Sequence, residues 1–179
     1  MDYFKTVNIP SWKLIQDFCK GTWDGKFTKS RVFVRDDLRH IASLVTKDIL
    51  DVYGVRVQVK TAIMFINEAH FVQDLHIDGF EIDRKGASNI ALNIPIQNCD
   101  ESPMHWFSGN YTLSKSHTDD LQYLKINWHE PPVMVMTKII DTPTLVQINV
   151  PHYVENKSND SRLMLSIRFA DDTPLANIQ

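Results

Sequence analysis

The sequence predicts an α+β domain in which N-terminal helices are followed by an antiparallel sandwich or jelly roll. Helical periodicity is confined to the chain before Gly54. Beyond Val55, short β-type runs are separated by Pro, Gly, Asn and Asp. Several of those runs also split cleanly into one apolar face and one small or polar face. Helices first and about eight strands afterwards match that fold class.

In chain order, Ser11 to Cys19 places Trp12, Ile15 and Cys19 at helical spacing with Leu14 and Phe18 beside them, which predicts a short helix capped by Ser11. Gly21 to Lys29 is turn-rich and reads as a loop. A longer helix follows, with Asp36 and Asp37 favouring its N-terminal dipole and Leu38, Ile41, Ala42, Val45, Ile49 and Val52 forming its apolar stripe. Gly54 is its stop signal. Strands are then expected at Val55 to Ile66, Phe71 to Ile77, Asn89 to Ile96, Met104 to Phe107 and Tyr111 to Ser114. The last three fall at Val133 to Ile140, Thr144 to Val150 and Leu163 to Phe169. Ser116 to Pro132 fits no element and reads as an insert or lid near a pocket. With no internal repeat or linker, 1–179 is one domain: a helical N-terminal buttress (1–54), a β core (55–170) and a tail (171–179).

A chain of 179 residues, 43% hydrophobic and 23% charged, can enclose a core and a pocket. A net charge of −3 and no block of Lys and Arg disfavour nucleic acid and an anionic membrane as partners. The first residues lack a basic region followed by an apolar stretch, and nothing later is long enough to span a bilayer, so a cytoplasmic protein is expected. Cys19 and Cys99 lack paired spacing and read as free thiols.

Two strands are informative about a site. Ile90, Leu92, Ile94 and Ile96 share one face, opposite Asn89, Ala91, Asn93 and Pro95. Leu163, Leu165, Ile167 and Phe169 likewise oppose Arg162, Met164, Ser166 and Arg168. The functional account of this division is a polar pocket inside the jelly roll, with the apolar faces packed on the helices. The bland account is water on the polar face.

His76-Ile77-Asp78 supplies the chemistry. On a strand, side chains two apart project from the same face, so an imidazole and a carboxylate converge on one point. A distant His152 completes a two-His, one-carboxylate set of the kind that binds non-heme Fe(II) with one face left open. Ten residues after His152, Arg162 opens an apolar strand.

This constellation resembles the Fe(II)/2-oxoglutarate-dependent oxygenase superfamily, particularly its small prolyl- and aspartyl-hydroxylase-like members. The blocks His76-Ile-Asp-Gly79, Ala91-Leu-Asn-Ile-Pro-Ile-Gln-Asn-Cys99 and Pro143-Thr-Leu-Val-Gln-Ile-Asn-Val-Pro-His152 look like those of uncharacterised members, some encoded by phages. A phage-encoded protein would act in the host cytoplasm. The resemblance covers roughly residues 60 to 170. It implies a cupin-like double-stranded β-helix with the N-terminal helices packed on one sheet. It further implies iron held by His76, Asp78 and His152, and 2-oxoglutarate as cosubstrate with Arg162 clamping its far carboxylate. Ser166 and Asn93, on the polar faces, are further candidates for cosubstrate contact.

The implied reaction uses dioxygen to hydroxylate a C–H bond of a small-molecule or peptidyl substrate, releasing succinate and CO2. Related halogenases replace the carboxylate ligand with a small residue, so Asp78 favours hydroxylation. An Arg-x-Ser motif would place Ser at 164, where Met stands. Arg168, six after Arg162, matches a spacing found in nucleobase-demethylating relatives, but the Asn and Thr between their arginines are Met164 and Ser166 here.

A non-catalytic jelly-roll binding or structural protein, a nucleobase demethylase and a cupin metalloenzyme without 2-oxoglutarate are the alternative readings, although the last leaves Arg162 unexplained. Neither a phosphate loop nor a nucleophile elbow is present. His70, His105, His117 and His129 are packing or surface residues on this reading. Trp106 and Phe107 are core or pocket wall, and Tyr153 points away from the metal. Substrate and oligomeric state are left open by the sequence.

Overall fold

The computed structural model describes residues 3–25, 29–78, 88–115 and 123–178. Its elements are β1 (Phe4–Thr6), α1 (Trp12–Thr22), β2 (Ser30–Phe33), α2 (Arg35–Tyr53), β3 (Val59–Asn67), β4 (His76–Asp78) and β5 (Ile90–Gln97). They continue as β6 (Pro103–Ser108), β7 (Tyr111–Lys115), β8 (Tyr123–Trp128), β9 (Val133–Ile139), β10 (Thr144–Gln147), β11 (His152–Val154), β12 (Arg162–Phe169) and a 3-10 turn at Thr173–Asn177.

The strands form two six-stranded sheets, ordered β1-β10-β5-β12-β3-β2 and β7-β8-β4-β11-β6-β9, and every pairing between them is antiparallel. Two facing sheets fed by strands that alternate between them make the jelly roll expected from the sequence.

Alternation places the layers. Leu92, Ile94 and Ile96 of β5, with Leu163, Leu165 and Ile167 of β12, are buried on the outer face of the first sheet. They pack against Ile15 and Cys19 of α1 and Ile41, Val45 and Ile49 of α2. Each fully buried aliphatic side chain contributes about 1.5–3 kcal/mol, so this layer is the main source of stability. Ala91 and Met164, from the opposite faces of the same strands, join Trp106, Val146, Ile148 and Val154 between the sheets. The polar faces of β5 and β12 thus look into the sandwich, as the pocket reading requires.

Helix α2 begins with Asp36 and Asp37 and ends at Gly54, whose φ of 68° lets its N–H reach the Leu50 carbonyl. Ser11 makes no capping bond with its side chain. Instead its N–H and hydroxyl both donate to the Asp48 carboxylate of α2, at 2.7 and 3.1 Å. A buried carboxylate at the start of α1 satisfies an otherwise orphaned donor and complements the helix dipole. Gln16 then ties α1 to the sheet, donating to the carbonyls of Pro95 and Ile96 where β5 shifts register against β12. The first of those residues has no N–H for the ladder.

Several expectations need correction. α1 continues through Thr22, so Gly21 lies in the helix rather than in a loop. Two strands, β1 and β2, lie within 1–54 and occupy opposite edges of the first sheet. The expected strand at Phe71 to Ile77 is reduced to β4, preceded by an isolated bridge from Val72 to Glu155. Tyr123–Trp128 of the unassigned insert is strand β8, while 116–122, with His117, lies outside the described residues. The described residues hold twelve strands rather than eight. Cys19 and Cys99 are free and buried. No described helix is long and apolar enough to cross a membrane.

Candidate metal centre

His76 of β4 lies directly opposite His152 of β11 in an antiparallel pair. Cross-strand partners project from the same face, so two residues 76 positions apart in sequence become neighbours, with ring centroids 4.5 Å apart. Asp78, two residues beyond His76, joins them. Its Oδ1 is 3.2 Å from His76 Nε2 and 3.6 Å from His152 Nε2, and the three donor atoms all lie within 4.8 Å of one another. Ligands at about 2.1 Å from a metal and at right angles to one another stand about 3 Å apart, so this spacing fits three cis positions on one ion. Among the described residues, this is the one group of at least three His, Cys, Asp or Glu side chains that could hold a metal.

Both imidazoles are held by the same local device. His76 Nδ1 lies 2.7 Å from the Asp74 carbonyl and His152 Nδ1 2.9 Å from that of Val150. A carbonyl only accepts, so each Nδ1 carries a proton, and each Nε2 is the ring atom turned toward Asp78. Burial, reinforced by the neighbouring His76, lowers the His152 pKa to about 4, which keeps that ring neutral near pH 7. Burial pushes the Asp78 pKa upward, but the Arg168 guanidinium and the two imidazoles outweigh it and hold the carboxyl well below its ordinary range. Two imidazoles beside an ionised carboxylate are the donor set suited to Fe(II).

Arg162 lies on the inner face of β12, opposite Asn67 of β3, and is 3% exposed. Its Nη1 donates to Asn67 Oδ1 at 2.7 Å, whereas its Nε has no hydrogen-bond partner. Burial lowers its pKa from the usual value, with Cys99 acting in the opposite direction. Among the described residues no carboxylate forms an ion pair with it. A buried guanidinium without a counter-anion is costly, and an anionic ligand would relieve that cost.

Asn93 and Ser166 are cross-strand partners on β5 and β12 and bond to each other, Ser166 Oγ donating to Asn93 Oδ1 at 2.5 Å. Ser166 Oγ in turn accepts from Arg168 Nη1 at 2.6 Å, and Arg168 Nη2 is ion-paired with Asp78 Oδ2. The sequence reading noted the spacing of Arg168 but gave it no role, and it missed Asn67. Arg168 shares a strand face with Ser166 and Arg162, which was the available signal. Asn67 is identified only by the β3–β12 register.

The remaining candidates lie elsewhere. His70 and His129 are exposed. His105, on the far side of its sheet, bonds Thr137 and Glu155. Trp106 is core and donates to the Gln147 carbonyl. Phe107 stacks on Tyr153, which points away from the metal ligands as alternation predicts.

No family model and no curated protein matches the sequence. Solved structures do match the fold. The epimerase SnoN, in complex with Fe3+, α-ketoglutarate and nogalamycin RO, aligns with a TM-score of 0.57 at 12% identity, over 96% of this chain and 80% of that one. A second structure of SnoN, described as a non-heme α-ketoglutarate-dependent epimerase from nogalamycin biosynthesis, aligns at 0.51 and 14% identity over 90% and 74%. EvdMO1 aligns at 0.55 and 12% identity over 95% of this chain, which spans about half of it at 47%. α-Ketoglutarate is 2-oxoglutarate, so the fold expected from the resemblance is the fold this chain shares with SnoN, which is described as dependent on that compound.

Proposed function

We propose that the protein is an Fe(II)- and 2-oxoglutarate-dependent dioxygenase that hydroxylates a C–H bond of a small-molecule or peptidyl substrate. The observation that carries this reading is the convergence of His76, Asp78 and His152, from two paired strands, on one point inside the jelly roll. When bound, iron and 2-oxoglutarate supply the oxidising chemistry: substrate, dioxygen and 2-oxoglutarate become hydroxylated substrate, succinate and CO2. The chain's own residues bind and orient. His76 Nε2, His152 Nε2 and Asp78 Oδ1 would hold the metal. Arg162, buried and lacking a carboxylate partner among the described residues, takes the far carboxylate of the cosubstrate; its planar fork suits a two-point contact.

The test is iron-dependent formation of succinate from 2-oxoglutarate, followed while candidate small molecules and peptides are screened for stimulation. The reading predicts turnover in the parent and none in His152→Ala. Succinate formation by His152→Ala equal to that of the parent would overturn the assignment of the site.

A further inference from the structure

Asp78 uses its two oxygens for different tasks. Oδ1 faces both imidazole Nε2 atoms, whereas Oδ2 is taken by Arg168. The metal position and the arginine therefore do not compete for one atom. Arg168 comes from the first sheet and Asp78 from the second, so their ion pair bridges the sandwich. The guanidinium is itself anchored: its Nη1 donates to Ser166 Oγ, and Ser166 donates to Asn93 Oδ1 on the adjacent strand. Asn93 and Ser166 are buried, and Arg168 and Asp78 are partly buried, with side chains 15% and 20% exposed.

On the reading above, in which these ligands hold iron, we propose that Arg168 is a positioning residue for the metal. With Ser166 and Asn93 it forms a relay that pins Asp78 through Oδ2. So held, the carboxylate would offer a metal ion Oδ1 alone, because Oδ2 is engaged by the arginine. The relay assigns Asn93 and Ser166 to holding a metal ligand rather than to touching cosubstrate. Arginine suits the task because its fork engages two acceptors at fixed separation, whereas a lysine ammonium is a flexible point charge. Its cationic charge opposes a nearby metal ion. The relay therefore acts through orientation, and charge alone would act the other way.

These alternatives separate in a metal titration. Mn(II) binding to the apoprotein is measured by electron paramagnetic resonance and calorimetry for the parent, Arg168→Met, Ser166→Ala and the double variant, with circular dichroism checking that each is folded. Loss of an outer partner of a metal ligand typically weakens binding about 10- to 100-fold. That range is expected for Arg168→Met, with a smaller loss for Ser166→Ala. The double variant should be no weaker than Arg168→Met alone, because Ser166 acts only through the arginine. Arg168→Met binding Mn(II) as tightly as the parent, or more tightly, would make Arg168 a mere counter-ion and overturn the relay. Additive losses in the double variant would overturn the role of Ser166. Absence of Mn(II) binding by the folded parent would sink the metal site itself, which distinguishes failure of the underlying reading from failure of this one.

Discussion

Replacing Arg162 with Met separates ligand binding from fold stability at one residue. The wild-type side chain is 3% exposed and, among the described residues, makes one hydrogen bond, to Asn67, and leaves Nε without a partner. Exchanging a buried ionic group for an apolar one of similar volume is often stabilising, by about 1–4 kcal/mol. Against that, Asn67 Oδ1 loses its donor, which costs about 1–3 kcal/mol. The two effects nearly cancel, so the ligand-free variant should melt close to the parent. For a chain of this length each kcal/mol moves Tm by about 2–4 °C. The difference appears on adding 2-oxoglutarate to the Mn(II)-loaded proteins. A ligand at one hundred times its Kd stabilises by about 2.7 kcal/mol, which for this chain is roughly 5–10 °C. Differential scanning fluorimetry should show that shift in the parent and none in Arg162→Met. An equal shift in both proteins would refute the assignment of Arg162 as the carboxylate receptor. A large drop in the variant's ligand-free Tm would show that the charge has a structural counter-ion and refute the near-cancellation argued here.

Two further outcomes follow from the same structure. His152 titrates near pH 4 in the folded chain against an ordinary 6.5, so between those values the unfolded chain binds a proton that the folded one refuses. Stability is therefore full above about pH 6.5 and falls as pH drops toward 4, by an amount on the order of 3 kcal/mol in the metal-free protein. Urea melts across that window should show the loss, and His152→Gln should flatten that part of it; an unchanged slope would contradict the assignment. Ile94→Ala, on the helix-facing side of β5, should cost about 2–5 kcal/mol in urea unfolding while leaving Mn(II) affinity unchanged, because Ile94 and Asn93 point to opposite faces. A loss below 1 kcal/mol would mean that the layer is not packed as described.

The parts of the fold legible in the sequence were those long enough to show a period. α2 is 19 residues long and carries an apolar stripe and a glycine stop. β5 and β12 are eight-residue strands whose alternation indicated both the helix-packed face and the inward polar face. The candidate metal ligands were legible because His-x-Asp is local and His152 stands ten residues before an arginine that opens a strand. The strands that hold them were much less so: β4 and β11 have three residues each, too short for any periodicity, and are defined by pairing with distant partners. The same reason hid β1 and β2, whose place at the sheet edges depends on β10 and β3. Asp48 reads as the polar side of α2, and only the approach of α1 turns it into a cap. Arg168 was visible as one of two arginines on a strand face. Its contact with Asp78 requires the second sheet to fold over the first, a relation no spacing within one strand encodes.

The central claim is that three protein ligands hold iron in a site that also receives 2-oxoglutarate. Anaerobic titration of the apoprotein with Fe(II) and then 2-oxoglutarate, following the visible metal-to-ligand charge-transfer band, tests it most directly. The account predicts a band in the parent that is absent in His76→Ala and that needs far more 2-oxoglutarate in Arg162→Met. A folded, iron-replete parent that develops no band on saturation with 2-oxoglutarate would contradict it.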